Sequence, residues 1–200
     1  MNIIGIYLAA GESKRMGRDK RYLPYHQLPL GSVALNEALE SHLDHTIVVT
    51  RTEDSLDWLK CKTLPIKWSR VDCLRANDGQ GLSIQCGLKK AIEAKADAVM
   101  ILLADQPFIN REVINILIDS YKKEPGCFYI AAGKRQIPMP PVLFSSECFP
   151  YLQKLKGDQG ARKILRGELF NKGKIIDFHD PLLFFDVDTE EDCVILQALE

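Results

Sequence analysis

Residues 3–20 read IIGIYLAAGESKRMGRDK, and the architecture can be worked outward from them. The first six are β-prone and continuously apolar, and a run without polar alternation is a strand covered on both faces. It ends in a glycine turn at Gly11. Behind that turn, five basic side chains fall within the eight residues from Lys14 to Arg21. A buried strand that delivers a glycine loop rich in cations suits an α/β sheet whose first loop meets an anion.

The rest of the chain repeats the pattern. TIVVT (46–50) and DAVMILLAD (97–105) are equally apolar, and CFYIAA (127–132), PVLF (141–144) and KIIDF (174–178) supply later strands. Between them lie amphipathic helical stretches: SVALNEALESHL (32–43), GLSIQCGLKKAIEAK (81–95), NREVINILIDSYKK (110–123) and TEEDCVILQALE (189–200). GDQGARKIL (157–165) opens a further helix behind a glycine. Strand alternating with helix predicts right-handed βαβ units and a mostly parallel sheet. No repeat or composition break marks a linker, so one domain over residues 1–200 is expected. The proline-rich RQIPMPPVLF (135–144) reads as a rigid loop entering a strand.

Composition narrows the function classes. With 46% hydrophobic residues in 200, the chain can bury a substantial core, and its net charge of −1 gives no general attraction to nucleic acid or anionic membrane. The six cysteines form no C-x-x-C pair and read as reduced thiols in a cytoplasmic protein. No run approaches the ~20 apolar residues of a membrane helix. His26, His42, His45 and His179 lack metal-ligand spacing, and Trp58 and Trp68 form no stacking platform.

Ligands of open α/β sheets collect beyond the carboxyl ends of the strands. Three polar clusters fall there: the basic loop, ADQP (104–107) and DVDTEED (186–192). Gly11 and Gly17 let the backbone approach a ligand, while Arg15, Arg18 and Lys20 offer charge to a polyphosphate. The loop is neither a Walker A motif nor a dinucleotide fingerprint. Asp105, at a strand end before Gln106 and Pro107, suits Mg²⁺, which takes one or two carboxylates with phosphates and water; capping of the next helix is the alternative. Asp186 and Asp188 precede an acidic helix start, where Asp188 or Thr189 can cap. One aspartate is expected to reach the metal and the distal acids to serve the helix. NDGQG (77–81) puts free amides and Ser83 at the head of a helix, a hydrogen-bonding surface for a nucleobase or phosphate.

Together these motifs resemble those of MobA/MocA-like nucleotidyltransferases, which activate molybdopterin. LAAGESKRMGRDK is similar to the family's signature loop, LLADQP to its metal-binding segment, and GQGLSIQCGL to its glycine-serine helix start. GDQGAR and DVDTEED match two later elements, so five ordered motifs span nearly the whole chain. The resemblance implies a three-layer, Rossmann-like nucleotidyltransferase domain. LAAG in place of LAGG is similar to the cytidylyltransferase-like group associated with xanthine dehydrogenase. The activity implied is transfer of CMP from CTP (or GMP from GTP) to the phosphate of molybdopterin, with loss of pyrophosphate, in support of a molybdenum hydroxylase. Carried over residue by residue, Leu8, Ala9, Ala10 and Gly11 frame the nucleotide, Arg15 and Lys20 hold its phosphates, Ser83 helps fix the base or ribose, and Asp105 and Asp188 hold Mg²⁺. Lys20, Arg15 and Asp105 are the expected catalytic residues. The chain departs from the family at Met139–Pro141, where relatives often carry G-H-P, and at Arg21 and Tyr22, which replace an apolar pair and are expected to reshape the mouth of the site. A sugar or polyol phosphate acceptor, or a non-catalytic cofactor carrier, are the competing readings.

Overall fold

A computed structural model describes residues 1–13, 15–61, 67–124 and 126–199. In chain order the strands are β1 (Ile3–Leu8), β2 (Pro24–Tyr25), β3 (Leu28–Pro29), β4 (His45–Thr50), β5 (Trp68–Asp72), β6 (Ala98–Leu103), β7 (Tyr129–Lys134), β8 (Ile137–Ser145) and β9 (Lys174–Asp177). The helices are α1 (Leu30–Glu40), α2 (Gln80–Glu93), α3 (Arg111–Lys123), α4 (Phe149–Leu152), α5 (Arg162–Arg166) and α6 (Glu190–Ala198). Seven strands form one sheet in the order β5-β4-β1-β6-β8-β7-β9, and β2 and β3 make a separate two-residue ladder. The large sheet is parallel except for the pairs that β8 makes with β6 and β7.

Strand alternation divides the core into two layers. Ile3 and Tyr7 of β1, with Met100 and Leu102 of β6, face α1 and α3. Ile4, Ile6 and Leu8, with Val99 and Ile101, face α2 and the α4–α5 region. Both faces of β1 are therefore buried, which is why its sequence is apolar at every position. Gly87 lets α2 lie tightly on this strand, since a Cβ there would come within 2.4 Å of Ile6 Cγ2.

Of the expected loop ahead of PVLF, only Arg135 and Gln136 form a turn, and residues 137–140 are instead the first half of β8. Met139 pairs with Ala132 and Val142 with Ala131, leaving Pro140 and Pro141 as two residues bulged out of the ladder. A bulge asks no ladder hydrogen bond of residues that have no N–H to give, so prolines fit inside a strand at this point. The sequence reading missed the short elements β2, β3 and α4 and, in the large sheet, strand β5: WSRVD is short, mostly half-buried and rich in polar residues, as an outer strand of the sheet permits.

Candidate functional site

The loop after β1 is tied to the sheet at both sides, by Ala9 N–H donating to Val49 O (2.9 Å) and Ala104 N–H donating to Leu8 O (3.2 Å). Its path turns through left-handed backbone at Ser13 (φ 52°) and Gly17 (φ 68°). Asp19 caps the short turn Lys20–Tyr22 by accepting from Arg21 N. The basic residues then part company. Arg21 is 4% exposed, and its guanidinium donates to Ala9 O at 2.7 Å, to both carboxylate oxygens of Asp19 and to Asp54, while lying 5.2 Å above the Trp58 ring. It is a buried clamp inside the loop, and it also lines the cavity described below. Arg18, expected to serve a polyphosphate, pairs with Glu190 at 2.7 Å on the surface because α6 packs beside the loop. Lys14 lies outside the described residues.

Arg15 and Lys20 face a cavity of about 430 Å³ beyond the carboxyl ends of β1 and β6. Leu8, Ala9, Ala10, Gly11, Ser83, Asp105 and Asp188 line the same space, so residues from four distant segments meet there. The wall also includes Ala76, Asn77, Gly79, Gln80 and Asp158, which sequence reasoning had not named individually. Two glycine motifs build that wall by touching each other. Gly79 heads α2 at φ 117°, and a Cβ on it would lie 2.1 Å from the Gly157 carbonyl carbon. Gly81 N–H donates to Gly157 O at 2.9 Å. The glycines of NDGQG and GDQG were the available signal, but only the fold shows that they interlock.

At the cavity floor the Lys20 ammonium sits between two carboxylates, 2.7 Å from Asp105 Oδ2 and 2.8 Å from Asp188 Oδ1. Arg15 reaches the other Asp188 oxygen at 3.2 Å. Backbone pairing assembles this group: Val187 N–H donates to Asp105 O at 3.0 Å, which sets Asp186 and Asp188 on either side of the β6 end. Burial alone depresses an ammonium, but the two carboxylates outweigh it and hold the Lys20 pKa above its ordinary value. Asp186 is pushed up by burial and by the charge on Asp105, although Gln106 donates to it at 2.8 Å. Neither strand-end acid is a helix cap. Asn110 caps α3, and Thr189 caps α6 in a reciprocal capping box with Asp192, as expected of the distal acids.

The donor set suits a hard divalent cation. Asp105 Oδ1 is buried and has no hydrogen-bond partner among the described residues, an orphaned carboxylate oxygen that would be costly without a ligand. Among the described residues no group of three His, Cys, Asp or Glu side chains forms a metal cage. Two carboxylates completed by phosphate oxygens are the arrangement Mg²⁺ accepts.

A second cavity of about 360 Å³ adjoins the first, sharing Arg15, Gln80, Asp105 and Asp188. Its far side is made by Pro140, Val142, Gly160, Ala161 and Arg162, so the bulge in β8 and the start of α5 face the acidic centre from across the sheet. Among the described residues no helix is long and apolar enough to cross a membrane.

Known proteins share this fold. A family model described as the MobA-like NTP transferase domain matches residues 5–174. The purine catabolism protein PucB of Bacillus subtilis is 40% identical over 195 residues, covering 95% of this chain and 93% of that protein. A probable molybdenum cofactor guanylyltransferase of Nostoc is 26% identical over 202 residues, covering 98% and 91%. The crystal structure of Rv0371c from Mycobacterium tuberculosis in complex with manganese superposes with a TM-score of 0.72 at 22% identity, covering 98% of each chain.

Proposed function

The chain belongs to the MobA-like NTP transferase family and is a nucleotidyltransferase, and from that premise we propose that it transfers CMP from CTP to the terminal phosphate of molybdopterin. The observation that carries the proposal is Lys20 held between Asp105 and Asp188 at the floor of a glycine-walled cavity. In the reaction an acceptor phosphate oxygen bonds to the α-phosphorus of CTP, the bond from that phosphorus to the β-bridging oxygen breaks, and pyrophosphate leaves with the electron pair. The acceptor oxygen is already ionised near neutral pH, so no general base is required, and catalysis rests on alignment and on neutralising charge.

Each residue has a part in that scheme. The backbone of Leu8, Ala9, Ala10 and Gly11 and the Ser83 hydroxyl surround the nucleoside and its phosphates. Asp105 and Asp188 hold Mg²⁺, which supplies charge neutralisation at the triphosphate. The orphaned Asp105 Oδ1 supports the metal role, and the manganese in a structural neighbour agrees with it. Lys20 and Arg15, which pair with these carboxylates, would offer their charge to the phosphates beside the cation that Asp105 and Asp188 would hold. The adjoining cavity takes the acceptor, with Arg162 as the cation on its far wall. A relative named for purine catabolism and others named as molybdenum cofactor guanylyltransferases support a molybdopterin acceptor and a molybdenum hydroxylase of purine breakdown as the destination. The cysteines, all free, suit a reducing cytoplasm. Residues 1–200 act as one domain in this reading.

The test is Mg²⁺-dependent pyrophosphate release with molybdopterin and CTP, GTP, ATP or UTP in parallel, with Lys20→Met and Asp105→Asn as controls. Selective release with CTP, reduced ~10²–10³-fold by Lys20→Met, is the expected result, the size being that for loss of one charge-stabilising donor. Selective release with GTP would refute the base assignment. Release only with a sugar or polyol phosphate would refute the acceptor. Cofactor delivery that persists in folded Asp105→Asn without pyrophosphate release would make the protein a carrier.

A further inference from the structure

We propose that Cys73 and Cys86 are a redox-sensitive dithiol, and that its closure to a disulfide locks the wall of the nucleotide cavity. The two sulfurs lie 2.7 Å apart, between the end of β5 and the second turn of α2. A disulfide spans about 2.05 Å, so closure asks for a shift of roughly 0.7 Å. Both ends are anchored in regular structure. Cys73 N–H donates to Thr50 O at 2.8 Å, and Cys86 lies on α2 one turn beyond Ser83. Other cysteines have different neighbours: the Cys148 thiol donates to Phe128 O at 3.0 Å, and Cys193 rests against the thioether of Met16.

The segment between the two sulfurs carries the wall residues Ala76, Asn77, Gly79, Gln80 and Ser83. A crosslink from Cys73 to Cys86 closes that segment into a ring on the sheet edge. Cys73 also borders an outer cavity of about 630 Å³ beside Arg51 and Asn77, a route by which a small oxidant reaches a sulfur that is otherwise buried. Burial and the adjacent Cys73 sulfur push the Cys86 thiol up to about 12, against the opposing charge of Lys89. The Cys86 thiol therefore rests protonated, and the pair closes only when an oxidant is present.

The oxidant is a hydroperoxide. One sulfur attacks a peroxide oxygen as it gives up its proton, and the O–O bond breaks, giving a sulfenic acid and, with hydrogen peroxide, one water that carries that proton. The second thiol attacks the sulfenic sulfur, the S–S bond forms, and a second water leaves. Two electrons pass from the dithiol to the peroxide, and the two thiol protons leave with the two waters. An external thiol reverses the reaction by exchange. Disulfides of this transient kind are the ones that occur in reducing compartments.

The experiment uses the reduced full chain treated with hydrogen peroxide, alkylated, and mapped by mass spectrometry without reduction. The expected result is a peptide joining Cys73 to Cys86, reversed by dithiothreitol, together with a Tm rise of about 6–12 °C for a loop of this length. Amide exchange across residues 74–85 slows in the oxidised protein, and Cys73→Ser and Cys86→Ser each abolish both effects. Recovery of Cys73 and Cys86 as alkylated thiols after peroxide has oxidised other cysteines would overturn the dithiol. A crosslink that leaves Tm and exchange unchanged would overturn the locking of the wall. Neither readout depends on the nucleotide transferred, so failure here is distinct from failure of the proposed reaction.

Discussion

Replacing Arg21 by Met removes the cation at the centre of the loop clamp. Asp54, its partner, has a side chain only 1% exposed, so the substitution leaves a carboxylate buried without its counter-ion, although Trp58 Nε1 (3.1 Å) and Leu56 N–H (2.9 Å) still donate to it. Breaking a buried pair from one side costs about 3–5 kcal/mol. In a domain of this size that corresponds to a Tm lower by about 6–20 °C. Asp54→Asn keeps the acceptor for Trp58 while removing the charge, so the double variant Arg21→Met/Asp54→Asn recovers part of the loss. A double-mutant cycle in urea should give a coupling of about 1–3 kcal/mol. Because Arg21 also holds the Ala9 carbonyl at 2.7 Å, the single variant should bind nucleotide more weakly even where it is fully folded. Arg21→Met within 1 kcal/mol of wild type, or additive losses in the cycle, would refute the clamp as the element that orders the loop.

Gly79→Ala should damage fold and site together, because its Cβ would collide with the Gly157 backbone at 2.1 Å and the residue sits at φ 117°; a fall in Tm with weaker nucleotide binding by calorimetry is expected, and an unchanged Tm would contradict the interlock of the two glycine motifs. Stability should also respond to pH at both extremes. Burial raises the Asp19 carboxyl, but Arg21 and Arg51 outweigh it and hold the pKa below 3.8, so its contribution is complete above about pH 4 and is lost as pH falls through the lower folded value. For Lys20, whose folded pKa is raised, the contribution is complete below its ordinary 10.5 and is lost as pH rises through the folded value. Tm profiles of Asp19→Asn and Lys20→Met check both limbs, each variant flattening the limb its residue controls.

Much of the fold was readable one segment at a time. The unbroken apolar runs at 3–8, 46–50 and 98–103 correspond to β1, β4 and β6, neighbours in the parallel half of the sheet in the order β4-β1-β6, because strands buried on both faces tolerate no polar alternation. β5 escaped notice because one half-exposed outer strand carries no such pattern. The prolines of β8 misled for a related reason: a bulge is a property of two strands in register, and local sequence sees only one of them.

The candidate site divides the same way. Residue type and position were enough to offer Arg15, Arg18 and Lys20 for phosphates, Asp105 with Asp186 or Asp188 for a metal, and Ser83 at a helix start; the choice of Lys20 and Asp188 came from the family resemblance. What each cation of the loop pairs with was a tertiary matter. Five basic residues share one short loop, yet the turn capped by Asp19 sends Arg21 inward to Asp54, and the packing of α6 gives Arg18 to Glu190. The sequence by itself determined that a parallel α/β sheet would present a cationic glycine loop beside two aspartates. Only the tertiary structure decided that one lysine bridges them, that two glycine motifs interlock as the wall, and that two cysteine sulfurs meet behind it, because each depends on backbones brought together from distant parts of the chain.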